Sequence, residues 1–534
     1  MIINSETKLV TNNWLVKCSI GYLLLPFIIF CLTFLKIWIG LPIVVLLGWL
    51  TWRIWKQKDA GTTGAGISKR DLIIGLIVLG LWVVLSGIGG FAFQNLDFIF
   101  RNVTFRDLIN FHWPVYYLGT GNAPDSTPTA LVYYIGYWLP SALIGKLWGW
   151  QAANASLFIW TLLGVSLTAV LLKQQIKSTL LASSALLIFF SGMDILGTLS
   201  IRSISPNVYP WAWPPITIID WWVTGSFQFS SFTTQLFWVF NQAVPAWICI
   251  ALIMQTKKPR IVFYIWGLCY FVAPMPAMGM LPFVFLVIPN KAFNSENISF
   301  KRFKQNARSF LMNCMVDIRA AITPENIFGG GAILLISSLY FSANPNSLKF
   351  SMLNMNALIF LFYVIFLIYE VILLWILFFK EQKNNLWWYV AGGMFMVLPL
   401  IRLSTLPDIC MRASIPALFV LMVWAGEALF RKPHVKYRGA LILVLLIGAI
   451  TPIYEINRSI FRTGEYYFLA LTNAETTPFE QSIERNSTLP EFSHPTSLTA
   501  DLYPSTPYLI TNDLLKSIGD TKNSFFFKYL AAPP

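Results

Sequence analysis

Apolar stretches of about 20 residues recur along almost the whole chain, and each is long enough to cross the hydrocarbon of a bilayer as a helix. That recurrence excludes a soluble globular enzyme, a disordered chain and a coiled coil. Composition agrees. Of 534 residues, 56% are apolar, 16% aromatic and 12% charged, with 22 tryptophans; an ordinary soluble domain is about 25% charged.

The apolar runs place spans near 18–35, 37–55, 72–93, 153–172, 179–198, 232–255, 261–275, 277–290, 327–342, 357–380, 386–401, 414–430 and 439–453. The expected fold is an all-α polytopic membrane protein of about 13 transmembrane helices, with interfacial helices in its outer loops. Between Arg260 and Lys291 both flanks are basic, so the chain must cross an even number of times. Two short helices or one re-entrant hairpin satisfy this, with Pro274 and Pro276 marking the turn.

The net charge is +14, from 38 Lys and Arg against 24 Asp and Glu. No basic-aromatic module accompanies it, so nucleic acid is not the expected partner. Of the 38 cations, 24 lie in the N-terminal segment and in alternate loops, including Arg53 to Arg70, Lys257 to Arg260, Lys291 to Arg319 and Arg431 to Arg438. Basic loops mark the cytoplasmic side. The N-terminus is then cytoplasmic, and an odd number of crossings leaves the C-terminus outside. Residues 454–534 carry nine acids and six bases, which suits an outer tail; its aromatic patches, such as Phe525-Phe526-Phe527, predict that it packs on the outer face.

Four regions follow. Residues 1–71 form two N-terminal transmembrane helices and a basic cytoplasmic loop; 72–255 form a core with outer loops 94–152 and 199–231; 256–453 hold the C-terminal transmembrane helices; 454–534 form the extracytoplasmic tail. Segment 130–150 is apolar enough to be a span, but crossing there would put Lys173 and Lys177 outside. Its Pro140, Gly136, Gly145, Lys146 and aromatic residues suggest a membrane-lying helix. The six cysteines form no CxxC or Cys/His cluster and read as packing residues. The polar stretch 2–17 precedes a full span, so no cleavable signal is expected.

Three clusters at expected outer ends carry candidate chemistry. The first is 93–117, FQNLDFIFRNVTFRDLINFHWPVYY, with Asp97, Arg101, Arg106, Asp107 and His112 among aromatics. If helical, Asp97 and Arg101 are i,i+4 neighbours, and the plain reading is a salt-bridged interfacial helix. The functional reading makes Asp97 a general base or a ligand for a divalent cation, since it sits nearest the preceding span. The second is SGMDILG, 191–197, where Asp194 stands in a strongly apolar stretch, followed by Arg202 and Asp220. A carboxylate there faces either solvent at a helix end or a cavity or partner within the membrane. The third is RLSTLPDICMRAS, 402–414, which places Arg402, Asp408 and Arg412 close together. Guanidinium is the favoured fork for phosphate, and the plain alternative is an ion pair with Asp408. Glu370 is a separate case: it lies mid-span with no partner evident in sequence, as an ion or proton site or as interhelical glue.

The arrangement resembles the GT-C superfamily of integral membrane glycosyltransferases. The resemblance covers about 70–255 and rests on four features: an acid after an outward span, an outer loop with membrane-lying helices, a Pro-x-x-Tyr-Tyr-like start, and a second acid after the next such span. The start is Pro128 to Tyr133-Tyr134; residues 133–167 follow as aromatic helix, glycine turn and small-residue span; the second acid is Asp194. Two additional N-terminal spans and a single Asp instead of an acidic pair depart from familiar members. The chain also resembles uncharacterised bacterial multi-span proteins, which imply no chemistry.

What the GT-C resemblance implies is a sugar transfer, with inversion, from a polyprenyl-phosphate donor in the bilayer to an envelope glycan or protein acceptor. Asp97 and Asp194 are then the catalytic acids, and they would hold Mg or Mn if the transfer uses a divalent cation. Arg101, Asp107, His112, Arg202, Arg402, Asp408 and Arg412 are the substrate-binding candidates, with Arg402 or Arg412 on the leaving phosphate. The implied location is a bacterial plasma membrane. A transporter or lipid-linked glycan flippase is the first rival; it predicts charges near the bilayer midplane and repeated halves, and no long internal repeat is evident. A non-catalytic envelope assembly protein is the second.

Overall fold

The computed structural model describes residues 12–56, 67–95, 97–117, 129–204, 219–220, 222, 226–256, 258–287, 316, 318–344, 350–403, 407–431, 435–472 and 518–533, with side chains to 464 in the last helix. Every expected span overlaps a helix, and 179–198 overlaps two. In chain order these are α1 (Asn12–Thr33), α2 (Ile37–Lys56), α3 (Lys69–Leu85), α4 (Asp97–Asn110), α5 (Leu139–Ile176), α6 (Leu180–Phe189), α7 (Asp194–Ile204), α8 (Phe232–Thr256), α9 (Pro259–Val272) and α10 (Pro274–Val287). Then come α11 (Glu325–Phe341), α12 (Ala357–Leu377), α13 (Leu386–Leu400), α14 (Asp408–Arg431) and α15 (Arg438–Gly464). α4 is the helix that segment 93–117 offered, while α7 was not expected as a separate helix. Among the described residues, eight helical stretches are long and apolar enough to cross a membrane; α9, α10, α11 and α13 are shorter apolar helices.

Several elements are broken in ways that place the site. Along α5, Gly149 has a positive φ of 79°, a conformation that glycine adopts without strain. Ser156 Oγ donates to Ser141 Oγ at 3.2 Å, and Tyr137 donates to Thr161 Oγ1 at 3.0 Å. In a straight helix residues 141 and 156 would be about 22 Å apart. The chain therefore turns back at Gly149, and arm 139–148 runs antiparallel to arm 150–176. This is the anticipated aromatic helix, glycine turn and small-residue span. The first arm packs along the second, however, instead of lying as an independent helix in the interface. Its outer side stays apolar and exposed at Leu147 and Trp148.

The same device recurs in α8. Val239 leaves helical geometry (φ −142°, ψ 35°), and Trp247 Nε1 reaches Gln235 Oε1 at 2.9 Å across the bend. Phe232 packs on Trp247 with ring centroids 5.3 Å apart. Arm 240–256 is the true core helix. It is buried on all sides, as a helix without a polar face must be. Its neighbours are tied in by Trp82 Nε1 to Thr233 Oγ1 at 3.0 Å and Thr233 Oγ1 to the Ile188 carbonyl at 2.7 Å.

The expected fifth span, 179–198, is two helices, α6 and α7, separated by an unwound stretch at 190–193. Backbone groups there need partners inside the protein. Met193 N–H donates to the Tyr369 carbonyl at 3.1 Å, where α12 relaxes into a π-turn at Ile368–Ile372. Phe190 accepts from Phe232 N–H. Asp194 is thus not at the outer end of a span; it opens the second half of a broken one.

The 261–290 region is the helical hairpin that the basic flanks required. Ala273 breaks the chain between α9 and α10, and Trp266 Nε1 donates to the Ala277 carbonyl at 2.8 Å across the pair. At one end of the bundle, β1 (Tyr116–Tyr117), β2 (Thr129–Leu131) and β5 (Ile518–Asp520) form an antiparallel sheet in the order β1-β2-β5. In chain order between β2 and β5, β3 (Phe350–Met352) pairs with β4 (Ile401–Leu403). Residues 518–533 close this end: Ala531 bridges Leu35, and Phe526 is buried against Phe30 and Tyr340. The C-terminal residues thus pack on the bundle as their aromatics predicted. The last helical segment runs to Thr472, past the expected end at 453. At the other end, Arg53 and Arg260 both pair with the buried Glu325, at 3.5 and 3.1 Å. Cys314 and the Tyr466-Tyr467-Phe468 side chains lie outside the described residues.

Candidate functional site

Two of the three sequence clusters meet at the end of the bundle that carries the three-stranded sheet. After α3 the chain turns through Gly87, Gly89 and Gly90, all with positive φ. Gln94 Nε2 bonds the Gly87 carbonyl at 2.9 Å, and Asn102 Nδ2 bonds Gln94 Oε1 at 2.9 Å, which fixes the turn to α4. Asn95 then does two things. Its Oδ1 accepts the Asp97 N–H at 3.1 Å, and its Nδ2 donates to the Phe237 carbonyl at 2.9 Å. The bend at Val239 leaves carbonyls of the preceding arm without helical partners, and the start of α4 satisfies them. Arg101 Nη2 takes the next one, at Trp238. At its far end α4 is held by Lys146, which donates to the Ile109 carbonyl at 3.3 Å and to that of Phe111. A cation suits the last turn of a helix.

Arg101 pairs with Asp97 at 2.7 Å, as the i,i+4 spacing predicted, with side-chain exposures of 9% and 40%. The carboxylate is open to solvent and the guanidinium is not. Arg101 lies over Phe98 and Phe240, 5.5 and 5.2 Å from their centroids, and its Nη1 is buried with no hydrogen-bond partner among the described residues. Burial pulls the guanidinium below its usual range, and Arg412 adds to that; Asp97, Tyr133 and Tyr134 hold it up.

Arg412 comes from the first turn of α14. It pairs with Asp408 at 3.2 Å, lies 3.5 Å from the Tyr134 hydroxyl and contacts Met275 Sδ at 3.7 Å. Asp97 and Tyr133 also lie within its electrostatic reach, and its Nε is a buried donor without a partner among the described residues. The Tyr133 and Tyr134 rings meet at a tilt of 33° with centroids 3.7 Å apart and share a hydrogen bond between hydroxyls. Burial pushes the Tyr133 phenol well above its ordinary range, and Tyr134 adds to this, while Arg412 and Arg101 pull it back. Tyr133 and Tyr134 belong to the site although only the sequence resemblance had singled them out. Hydropathy and charge alone do not distinguish them from other aromatic residues at a membrane interface.

Asp194 belongs to a different cluster. It is fully buried and accepts from Ser191 Oγ at 3.0 Å, Trp222 Nε1 at 3.0 Å and Thr451 Oγ1 at 2.7 Å. Glu370 and Asp220, both buried, lie beside it. Burial, together with Asp194 and Glu455, raises Asp220 well above the ordinary carboxylate range; Thr234 and Ser230 oppose this. Glu455 accepts from Arg458 at 2.7 Å and from Trp238 Nε1 at 3.2 Å, so Trp238 touches both clusters.

The remaining candidates are dispersed. Asp107 is buried on α4, while His112, just past that helix, is exposed. Arg202 is exposed near the end of α7. Arg402 is buried in β4 and donates to the carbonyl of Ser226, whose N–H bonds the Trp222 carbonyl, so it lies toward the Asp194 cluster. His434 and His494 lie outside the described residues. Cys410, expected outside the spans, is buried in α14 and donates to the Gln228 carbonyl at 3.0 Å. Among the described residues no three His, Cys, Asp or Glu side chains group at metal-ligand spacing. Asp97 spends one oxygen on Arg101, and three donors occupy Asp194, so this pair is not a donor set that fits a divalent cation. No protein-family model, curated protein or solved structure matches the chain.

Proposed function

We propose that the site built from Asp97, Arg101, Tyr133, Tyr134, Asp408 and Arg412 is that of a membrane glycosyltransferase using a polyprenyl-phosphate sugar donor. One observation carries this reading. Two buried guanidinium donors, Arg101 Nη1 and Arg412 Nε, have no acceptor among the described residues, next to a carboxylate that solvent reaches. Orphan cationic donors in a desolvated site suit an anionic group with several oxygens, and a phosphate is such a group.

Asp97 takes the proton of the acceptor hydroxyl. The acceptor oxygen attacks the anomeric carbon as the bond to the lipid phosphate breaks, and configuration inverts. Charge builds on the departing phosphate, where Arg412 and Arg101 stabilise it. Asp408 orients Arg412 through their ion pair. Tyr134 supplies a further hydroxyl beside it. No step is routed through a metal. Taking the basic loops as cytoplasmic, this end of the bundle is extracytoplasmic, where a bilayer lipid and an envelope acceptor meet.

The test is Asp97→Asn and Arg412→Ala in the native host at matched expression, with envelope glycans profiled by mass spectrometry. Either variant should lose a sugar that the wild type adds. If both keep wild-type glycans while a deletion does not, the transferase reading fails and an assembly role stands. One feature favours a transporter as second reading: the broken α6–α7 pair with buried acids at the break. Such breaks accompany substrate and ion sites in transporters. Loss of uptake or flipping with unchanged glycan chemistry in Asp194→Asn would support it.

A further inference from the structure

The acids around the helix break are not explained by transfer at Asp97. Asp194 alone has a set of donors: Trp222 on one oxygen, Ser191 and Thr451 on the other. All three are donors, and the Asp194 oxygens accept them. Glu370 is 3% exposed and Asp220 0% exposed, and none of their four oxygens has a hydrogen-bond partner at ordinary geometry among the described residues. The groups that face Glu370 are Asp194, Asp220 and Cys410; those that face Asp220 are Asp194 and Glu455, with the Ser230 and Thr234 hydroxyls. The nearby cations are otherwise engaged: Arg458 with Glu455, and Arg402 with the Ser226 carbonyl. Three ionised carboxylates cannot share such a space. Something neutralises two of them, and the choices are protons or a small cation.

The surroundings favour protons. Trp222 presents an N–H to the cluster, and an indole N–H can donate but cannot ligate a cation. Three donors already surround Asp194, and the acceptor site left on Oδ1 suits one more donor better than a cation that needs several oxygens. Glu370 is wedged against the unwound backbone, where a Cβ on Gly192 would come within 2.1 Å of its Oε2. We propose that Asp194, Glu370 and Asp220 form a buried proton-binding site, in which Glu370 is a neutral acid directed at the Asp194 carboxylate and Asp220 holds a second proton. The site lies where three irregular elements meet: the unwound 190–193, the π-turn 368–372 and the break at Ala449 in α15, whose neighbour Gly448 lies against the Ser191 and Gly192 carbonyls. Loss of a proton would place a second charge at that junction and strain all three.

The experiment is thermal unfolding of the full chain in detergent from pH 6 to 9, in sodium, potassium or choline chloride, for wild type, Glu370→Gln, Glu370→Ala and Asp194→Asn. Glutamine mimics the neutral acid, so Glu370→Gln should match the wild-type Tm within about 2 °C at pH 6. It should lose part of the wild-type fall in Tm with rising pH. Asp194→Asn should lower Tm at every pH, because an amide cannot accept all three donors. The proposal is overturned if Glu370→Gln is as unstable as Glu370→Ala at pH 6, or if its pH slope equals that of the wild type. It is equally overturned if sodium or potassium raises the wild-type Tm above choline and Glu370→Gln abolishes that rise, which would make this a cation site.

Discussion

Arg412 is the side chain through which two distant parts of the sequence reach one another. It stands 315 positions beyond Asp97, yet Asp97, Tyr133 and Tyr134 all fall within its field. What made it a candidate in the sequence was its residue type and its nearness to Asp408. What joins it to α4 is the packing of α14 beside α10, whose Gly279 admits the Ala413 backbone so closely that a Cβ would come within 1.9 Å of the carbonyl oxygen. Arg402 had the same standing in the sequence and faces elsewhere. At this scale, too, Asp220 gives a pH prediction. Its carboxyl is raised in the fold, so the folded state keeps a proton that the unfolded chain loses near pH 3.9. Its contribution to stability is complete below that pH and is lost as pH rises toward the folded-state value, by at most about 1.4 kcal/mol per pH unit. Asp220→Asn should therefore be more stable than wild type at pH 8, with the difference shrinking on acidification. A constant difference across pH 4–8 in detergent unfolding would contradict this.

Elements in this protein are bent where the site needs them bent, and the bends have separate causes. At Gly149 the backbone φ is positive and a Cβ would meet nothing within 4 Å. Gly149→Ala should therefore cost only conformational strain, about 1–3 kcal/mol. Gly192 is the reverse. An added Cβ would lie 2.1 Å from Glu370 Oε2 and 2.8 Å from its Cα, so the π-turn or the unwound strand must move. Gly192→Ala should cost more than Gly149→Ala, about 3 kcal/mol or above, and Glu370→Ala in the same chain should recover part of the loss. Equal costs, or no rescue, would show that the unwound segment is not packed on Glu370. Periodicity and composition located nearly every one of these helices. They did not locate the breaks in α5, α8 or between α6 and α7. An apolar run reads the same whether the chain continues through it or turns, because hydropathy is blind to backbone dihedrals. The resemblance offered a glycine turn within 133–167 without saying which glycine makes it; Val239 gave no sign, since a β-branched residue carries no signal for leaving the helix.

For the whole molecule, the C-terminal residues close the end that carries the candidate site. β5 pairs with β2, two residues before Tyr133, and Lys36 N–H and Ala532 N–H tie the segment to the α1–α2 corner through Leu530 and Phe34 carbonyls, at 2.8 and 2.9 Å. Phe526→Ala should cost about 3–5 kcal/mol, the range for truncating a buried phenylalanine. Trypsin should then cut faster at the exposed Lys522 and Lys528. Unchanged Tm and cleavage would mean that the segment is not held as a structural part of the bundle. Local pattern specifies an all-α protein built from membrane-length apolar helices, the paired helices of 261–290 and the Asp97–Arg101 pair. These depend on local hydropathy, loop charge and helical spacing. Packing is what joins Arg412 to Asp97 and Asp194 to Glu370 and Asp220. Which buried charges become neighbours depends on how the helices pack and where they break, and side-chain contacts across hundreds of residues leave no trace in local pattern.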